Sequence, residues 1–155
     1  MKHVVCVVVT VVLVMSSTCL TKVFAAQIVT GGNMCLDMSG VATKEVSSDS
    51  KGKMVHAWPC HGQANQAWTI EGGLIRTQGN MCLDMSNVAD KYQGKVVHAY
   101  PCHGQANQKW TIDGGLIRTQ GNMCLDMTSY NSGDQGQMIH AFPCHGKANQ
   151  QWTIK

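Results

Sequence analysis

Charge is scarce in this sequence, and so are proline, aromatic residues and long apolar runs. Charged residues make up 14 % of the 155 positions, and the formal net charge is only +3. This excludes a basic footprint for nucleic acid, an acidic tail and the charge-rich make-up of a disordered chain. A helical bundle would carry more Glu, Lys, Leu and Ala, and no stretch of ten or more residues shows a helical apolar period. The longest apolar run, Val4 to Met15, is broken only by Thr10 and is too short for the roughly 20 residues that span a bilayer. No Asn-x-Ser/Thr triplet occurs, so N-glycosylation of the usual kind is not expected. No Ser–His–Asp, paired-Glu or metal constellation stands out, so no enzyme and no cofactor is expected.

Glycine and cysteine are plentiful, at 16 and eight residues. The composition favours a compact, loop-rich, disulfide-bonded β domain. Residues 1–25 read as a secretory signal. A short basic start precedes the apolar run, and small residues at Val23 and Ala25 suit cleavage after Ala25. Cys6 and Cys19 would leave with it, and six Cys would remain in an oxidising compartment. The expected mature domain, 26–155, is secreted, has no stable membrane insertion, and leaves homo-oligomerisation open.

That domain is one unit written three times, approximately 27–70, 71–112 and 113–155. Trp68, Trp110 and Trp152 recur at a step of 42, as do Cys60, Cys102 and Cys144. Cys35 lies 47 before Cys82, and Cys82 lies 42 before Cys124, so the first unit carries a five-residue insertion within Ser39 to Lys53. Between Trp68–Met85 and Trp110–Met127 only Glu71/Asp113 differs. Each unit reads as about four short strands. In the second these are Trp68–Ile70, Leu74–Arg76, Asn80–Met85 and Lys95–Tyr100, with a tight Gly72–Gly73 turn between the first two.

About twelve strands in three units argue against a propeller, which usually needs at least ~4 blades. An all-β trefoil fits better. Gln27–Thr30 matches the second half of a hairpin and Trp152–Ile154 the first half, so the two ends are expected to pair. Six Cys allow about 15 connectivities. Threefold repetition favours the local one: Cys35 with Cys60, Cys82 with Cys102, Cys124 with Cys144.

Gln66-Ala67-Trp68, Gln108-Lys109-Trp110 and Gln150-Gln151-Trp152 form a threefold Gln-x-Trp pattern. Each follows Cys-Leu-Asp-Met and an aromatic-Pro-Cys segment. Over the whole expected mature chain, this resembles the ricin B-type lectin domain, a β-trefoil. The resemblance implies one shallow sugar pocket per repeat. Asp37, Asp84 and Asp126 would accept hydrogen bonds from sugar hydroxyls. Trp58, Tyr100 and Phe142 would stack on the apolar face of the sugar. Asn65, Asn107 and Asn149 would contact a hydroxyl, and Gln66, Gln108 and Gln150 would support the pocket from behind. His56, His98 and His140 stand where the family often has Gln. Imidazole can also donate or accept, and if these His touch ligand or the Asp, affinity should change between about pH 5 and 8.

The expected function is a secreted lectin with up to three sites for galactose or N-acetylgalactosamine groups on glycoproteins or glycolipids. Two alternatives are weighed beside it. One is a module that binds xylan, mannan or glucan polysaccharides. The other is a protein-binding trefoil, such as a protease inhibitor, which would need a distinctive loop; only Ser39 to Lys53 is asymmetric. His61, His103 and His145 follow the second Cys of each unit. They are read as loop and pocket histidines rather than metal ligands, because the adjacent Cys are expected in disulfides and a structural zinc wants four ligands.

Overall fold

The computed structural model describes residues 5–6, 19–20, 25–42, 51–131 and 136–155. Most of the expected signal segment and most of the Ser39 to Lys53 insertion lie outside the described residues. Two short strands, β1 (Val5–Cys6) and β2 (Cys19–Leu20), pair with each other apart from the main sheet.

The main sheet has twelve strands. The first unit supplies β3 (Ile28–Thr30), β4 (Met34–Ala42) and β5 (Lys53–Pro59). The second supplies β6 (Thr69–Glu71), β7 (Leu74–Thr77), β8 (Met81–Ala89) and β9 (Lys95–Pro101). The third supplies β10 (Thr111–Asp113), β11 (Leu116–Thr119), β12 (Met123–Asn131) and β13 (Gln137–Pro143), and β14 (Thr153–Ile154) completes the set. Among the described residues the only helical pieces are single 3-10 turns. The fold is an all-β trefoil.

Three long hairpins, β4–β5, β8–β9 and β12–β13, carry the architecture. The second strand of each pairs with that of the next: Met54 with His98, Val96 with His140, Met138 with His56. This closes a ring through β5, β9 and β13, so none of these three strands is left as an open edge. The expected end-to-end pairing is present. Thr153 sits opposite Val29 and Ile154 opposite Ile28, and Gln27 and Lys155 exchange backbone hydrogen bonds of 2.9 and 3.0 Å. In the second unit the same hairpin turns through Gly72 and Gly73, at φ 57° and 78°, a conformation glycine adopts without cost.

The core repeats with the sequence. Ile28/Ile75/Ile117, Leu36/Leu83/Leu125, Ala57/Ala99/Ala141, Val55/Val97/Ile139 and Trp68/Trp110/Trp152 are all 4 % exposed or less. Each indole N–H donates inward, to the carbonyls of Leu36, Leu83 and Leu125 at 2.8, 2.9 and 2.9 Å. None of the three buried indole donors is therefore stranded. Met34, Met38, Met81, Met123 and Met127 pack on the core margin, while Met85 is buried.

The strand register fixes what faces outward. Leu83 lies opposite Ala99 and Met85 opposite Val97, all inward. The alternate positions, Cys82 opposite Tyr100 and Asp84 opposite His98, share the other face. The three disulfides, Cys35–Cys60, Cys82–Cys102 and Cys124–Cys144, each tie a long hairpin to the loop that follows it.

Candidate functional site

On that outer face each unit gathers an Asp, two His, an Asn, a Gln and an aromatic ring. The Asp comes from the middle of β4, β8 or β12, and the first His is its cross-strand neighbour. After the second Cys, Gly62, Gly104 and Gly146 take φ near +70° and turn the chain back. A 3-10 turn then delivers the amides: Ala64–Gln66, Ala106–Gln108, Ala148–Gln150. A single 3-10 turn is too short to leave a period in the sequence.

The Asp is the hub. Asp37 Oδ1 accepts from His56 Nε2 at 3.1 Å and Asn65 Nδ2 at 2.8 Å. Its Oδ2 accepts from His61 Nε2 at 3.2 Å and Gln66 Nε2 at 2.9 Å. Asp84 repeats the set with His98, Asn107, His103 and Gln108 at 3.2, 2.9, 3.2 and 2.9 Å. Asp126 does so with His140, Asn149, His145 and Gln150 at 3.2, 2.8, 3.3 and 2.9 Å. The carboxylates are only 2–3 % exposed. Burial alone would raise the Asp37 carboxyl. The hydrogen bonds from His56, Gln66 and Asn65, with the charge of His56, outweigh it and hold the group below its ordinary value. Asp84 is held down against burial in the same way by His98, Gln108 and His103.

The Gln is a buckle. Gln66 is fully buried. Its Nε2 also donates to Pro59 O at 3.1 Å, and its Oε1 accepts from the backbone N–H groups of His61 and Gly62 at 2.8 and 3.2 Å. Gln108 and Gln150 do the same.

The two His of each unit differ. His61, His103 and His145 are about 30 % exposed at the side chain. Their Nδ1 atoms accept backbone N–H groups from Gln63, Gln105 and Lys147 at 3.2 Å, so the ring proton sits on Nε2, aimed at the Asp. The inner His56, His98 and His140 lie under the aromatic residues. Ring centroids are 5.4 Å apart for His56–Trp58, 5.5 Å for His98–Tyr100 and 5.4 Å for His140–Phe142, all near-parallel. Each aromatic ring is half-buried on the inner imidazole. His61, His103 and His145, expected as loop and pocket histidines, are hydrogen-bonded to the Asp of their unit. Their signal was present as a His after the second Cys in every unit.

The sequence model of the ricin-type β-trefoil lectin domain matches residues 24–152. The chain belongs to that family. Solved structures similar to this lectin-family domain include the C-half of an earthworm R-type lectin in complex with GalNAc, at 20 % identity and TM-score 0.65, covering 85 % of this chain and 98 % of that one. The β-trefoil lectin of the Vibrio vulnificus hemolysin/cytolysin, with N-acetyl-D-lactosamine bound, matches at 20 % identity and TM-score 0.61, covering 86 % and 94 %. The agglutinin of Abrus precatorius matches at 23 % and 0.66, covering 86 % and 47 %. A comparison with curated protein sequences finds no match. In this lectin-family domain all fifteen expected pocket residues fall into the three clusters, five to each. The first cluster opens onto a cavity of about 320 Å³ bordered by Asp37, His56, Trp58, His61 and Asn65. Among the described residues no group of three or more His, Cys, Asp or Glu is suited to hold a metal.

Proposed function

We propose that the protein is a secreted, non-catalytic lectin whose three pockets bind terminal galactose or N-acetylgalactosamine units. The observation that carries this reading is the threefold juxtaposition of an aromatic face with a buried carboxylate hub that bristles with N–H groups. A galactoside is amphipathic. Its continuous C–H patch lies on Trp58, Tyr100 or Phe142, which adds roughly 0.5–1.5 kcal/mol beyond the area buried. Its vicinal hydroxyls meet the polar side.

Each Asp already has four donors, so a hydroxyl reaches it by replacing one. The outer imidazole is the one that yields. Its bond to Asp37 is 3.2 Å against 2.8–2.9 Å for the amides, and His61 is the more exposed ring. The displaced imidazole and the Asn carbonyl then remain at the rim as partners for the neighbouring hydroxyl. Individual sites of this shallow kind are weak. Three on one chain gain strength on dense glycans by multivalency.

The test is a glycan array with the oxidatively folded protein, followed by the triple variant Trp58→Ala/Tyr100→Ala/Phe142→Ala. Binding to terminal galactosides that the triple variant loses is the expected result. Binding only to xylan, mannan or glucan would replace the ligand class. No binding by correctly disulfide-paired protein would overturn the reading.

A further inference from the structure

The first pocket does not stop at its own edge. A second cavity of about 420 Å³ adjoins it, and Met38, Ser39, Gly40 and Asn65 line both. Its far side is polar, with Lys53, Gln63 and Gln78. Gln78 comes from the second unit, so the extension is built across a unit boundary. Asn65 is the shared wall. Its Nδ2 is committed to Asp37, and its carbonyl oxygen remains the acceptor of the pair.

The units differ here where they otherwise agree. Gly40 corresponds to Asn87 in the second unit and Ser129 in the third. A Cβ built on Gly40 would meet nothing within 4 Å, so the space beside it is open, and in the second unit a side chain takes that position. Lys53 corresponds to Lys95 and then Gln137, and Gln78 to Gln120 and then Gly31. Only the first unit combines a missing side chain, a lysine and the glutamine. Among the described residues Lys53 Nζ makes one long contact, 3.4 Å to the carbonyl of Gly40, and an ammonium carries three donors.

Resting on the lectin reading above, we propose that the first site takes a disaccharide or longer glycan whose second unit carries an acidic group. The galactose residue stacks on Trp58, the sugar joined to it lies over Gly40, and Lys53 receives a carboxylate or sulfate. The amides of Gln63 and Gln78 serve the flanking hydroxyls. The first site is thereby the selective one of the three, and the other two read the terminal sugar alone.

The experiment uses the full protein with Tyr100→Ala and Phe142→Ala, which leaves the first site as the reporter. Calorimetric titrations compare methyl galactoside, lactose, sialyllactoses and sulfated lactoses. The expected result is tighter binding of at least one acidic arm than of lactose, by roughly two- to fivefold for one exposed ion pair, and a loss of that gain at high salt. Lys53→Gln should erase the gain and leave methyl galactoside unchanged. Gly40→Asn, which restores the side chain of the second unit, should also erase it without a change in melting temperature. A gain in the sialylated arm names a carboxylate, and a gain in the sulfated arm names a sulfate ester. Equal affinity for lactose and every acidic arm, with methyl galactoside still bound, would overturn the acidic subsite and leave the lectin reading standing. Failure to bind any saccharide would overturn both.

Discussion

Nδ1 of His140 lies 2.6 Å from Oδ2 of Asp90, a residue of the preceding unit. Both side chains are 6 % exposed. His140 also points its Nε2 at Asp126, so one ring donates to two carboxylates and must carry both protons. Burial alone would lower the His140 value, but Asp126 and Asp90 overcome it and raise it above the ordinary 6.5. Asp90, held down by His140 and by the N–H groups of Gly94 and Tyr92 against the opposing effect of burial, sits below its ordinary value. By contrast, Nδ1 of His56 is buried with no hydrogen-bond partner among the described residues.

The sign of the pH effect follows from these directions. A raised His contributes stability that is fully present below its ordinary value and is lost as pH rises through its folded value. A depressed Asp contributes stability present above its ordinary value and lost as pH falls. The Asp90–His140 pair is therefore strongest between the carboxylate range and the raised His140 value. Asp90→Asn should cost about 1–3 kcal/mol near pH 6 and should flatten the alkaline loss of stability, because the new amide can donate to a neutral Nδ1. Denaturant melts across pH test this. An unchanged pH slope would refute it.

The Gln buckle should matter more for folding than for ligand contact. Gln108→Ala strands the backbone N–H groups of His103 and Gly104 and removes a donor from Asp84. The expected loss is about 2–3 kcal/mol, read as a lower urea midpoint with an unchanged slope.

The aromatic rings should rank the sites. If stacking dominates, Trp58→Ala costs the most and Phe142→Ala the least, each within roughly two- to tenfold in Kd. Equal losses from the three single variants, measured on a monovalent galactoside, would assign the affinity to the polar groups instead.

Each disulfide closes a loop of modest length, with separations of 25, 20 and 20 residues. Replacing both Cys124 and Cys144 by Ser should cost on the order of 3 kcal/mol in the chain-entropy model. The melting temperature of that variant against the parent, both under oxidising conditions, checks it.

Gly136 abuts the first pocket although it belongs to the third unit. A Cβ there would come within 2.7 Å of both Ala57 O and Trp58 Cε3, at φ +74°. Gly136→Ala should displace Trp58 and weaken the first site while leaving the second intact. Tryptophan fluorescence and site-resolved titration would show it.

The trefoil and the local disulfides were legible because the three copies are nearly identical, whereas the five clustered positions in each unit came from the resemblance to the lectin family and not from the periodicity of the strands. The sealing of Asp37 was not legible. His61 sits on a loop, and its side-chain direction depends on the Gly62 turn and the Gln66 buckle, neither of which has a periodic signature. The Asp90–His140 contact was also hidden. It spans 50 residues, and the positions four before Gly52 and Gly136 are Ser48 and Ser132, not Asp. Comparing copies reveals what they share and passes over what one copy alone carries.

The antiparallel pairing of β14 with β3 has a consequence for how the chain is threaded. The two strands stand to each other as β10 stands to β11, with only the Gly114–Gly115 link missing between them. A short linker joining Lys155 to Ala26, with the chain reopened at Gly72–Gly73 or Gly114–Gly115, should yield circular permutants of the same fold. The three starting points would be interchangeable to the core and to the first pocket alike, because Gln78 reaches that pocket through the fold and not through its place along the chain.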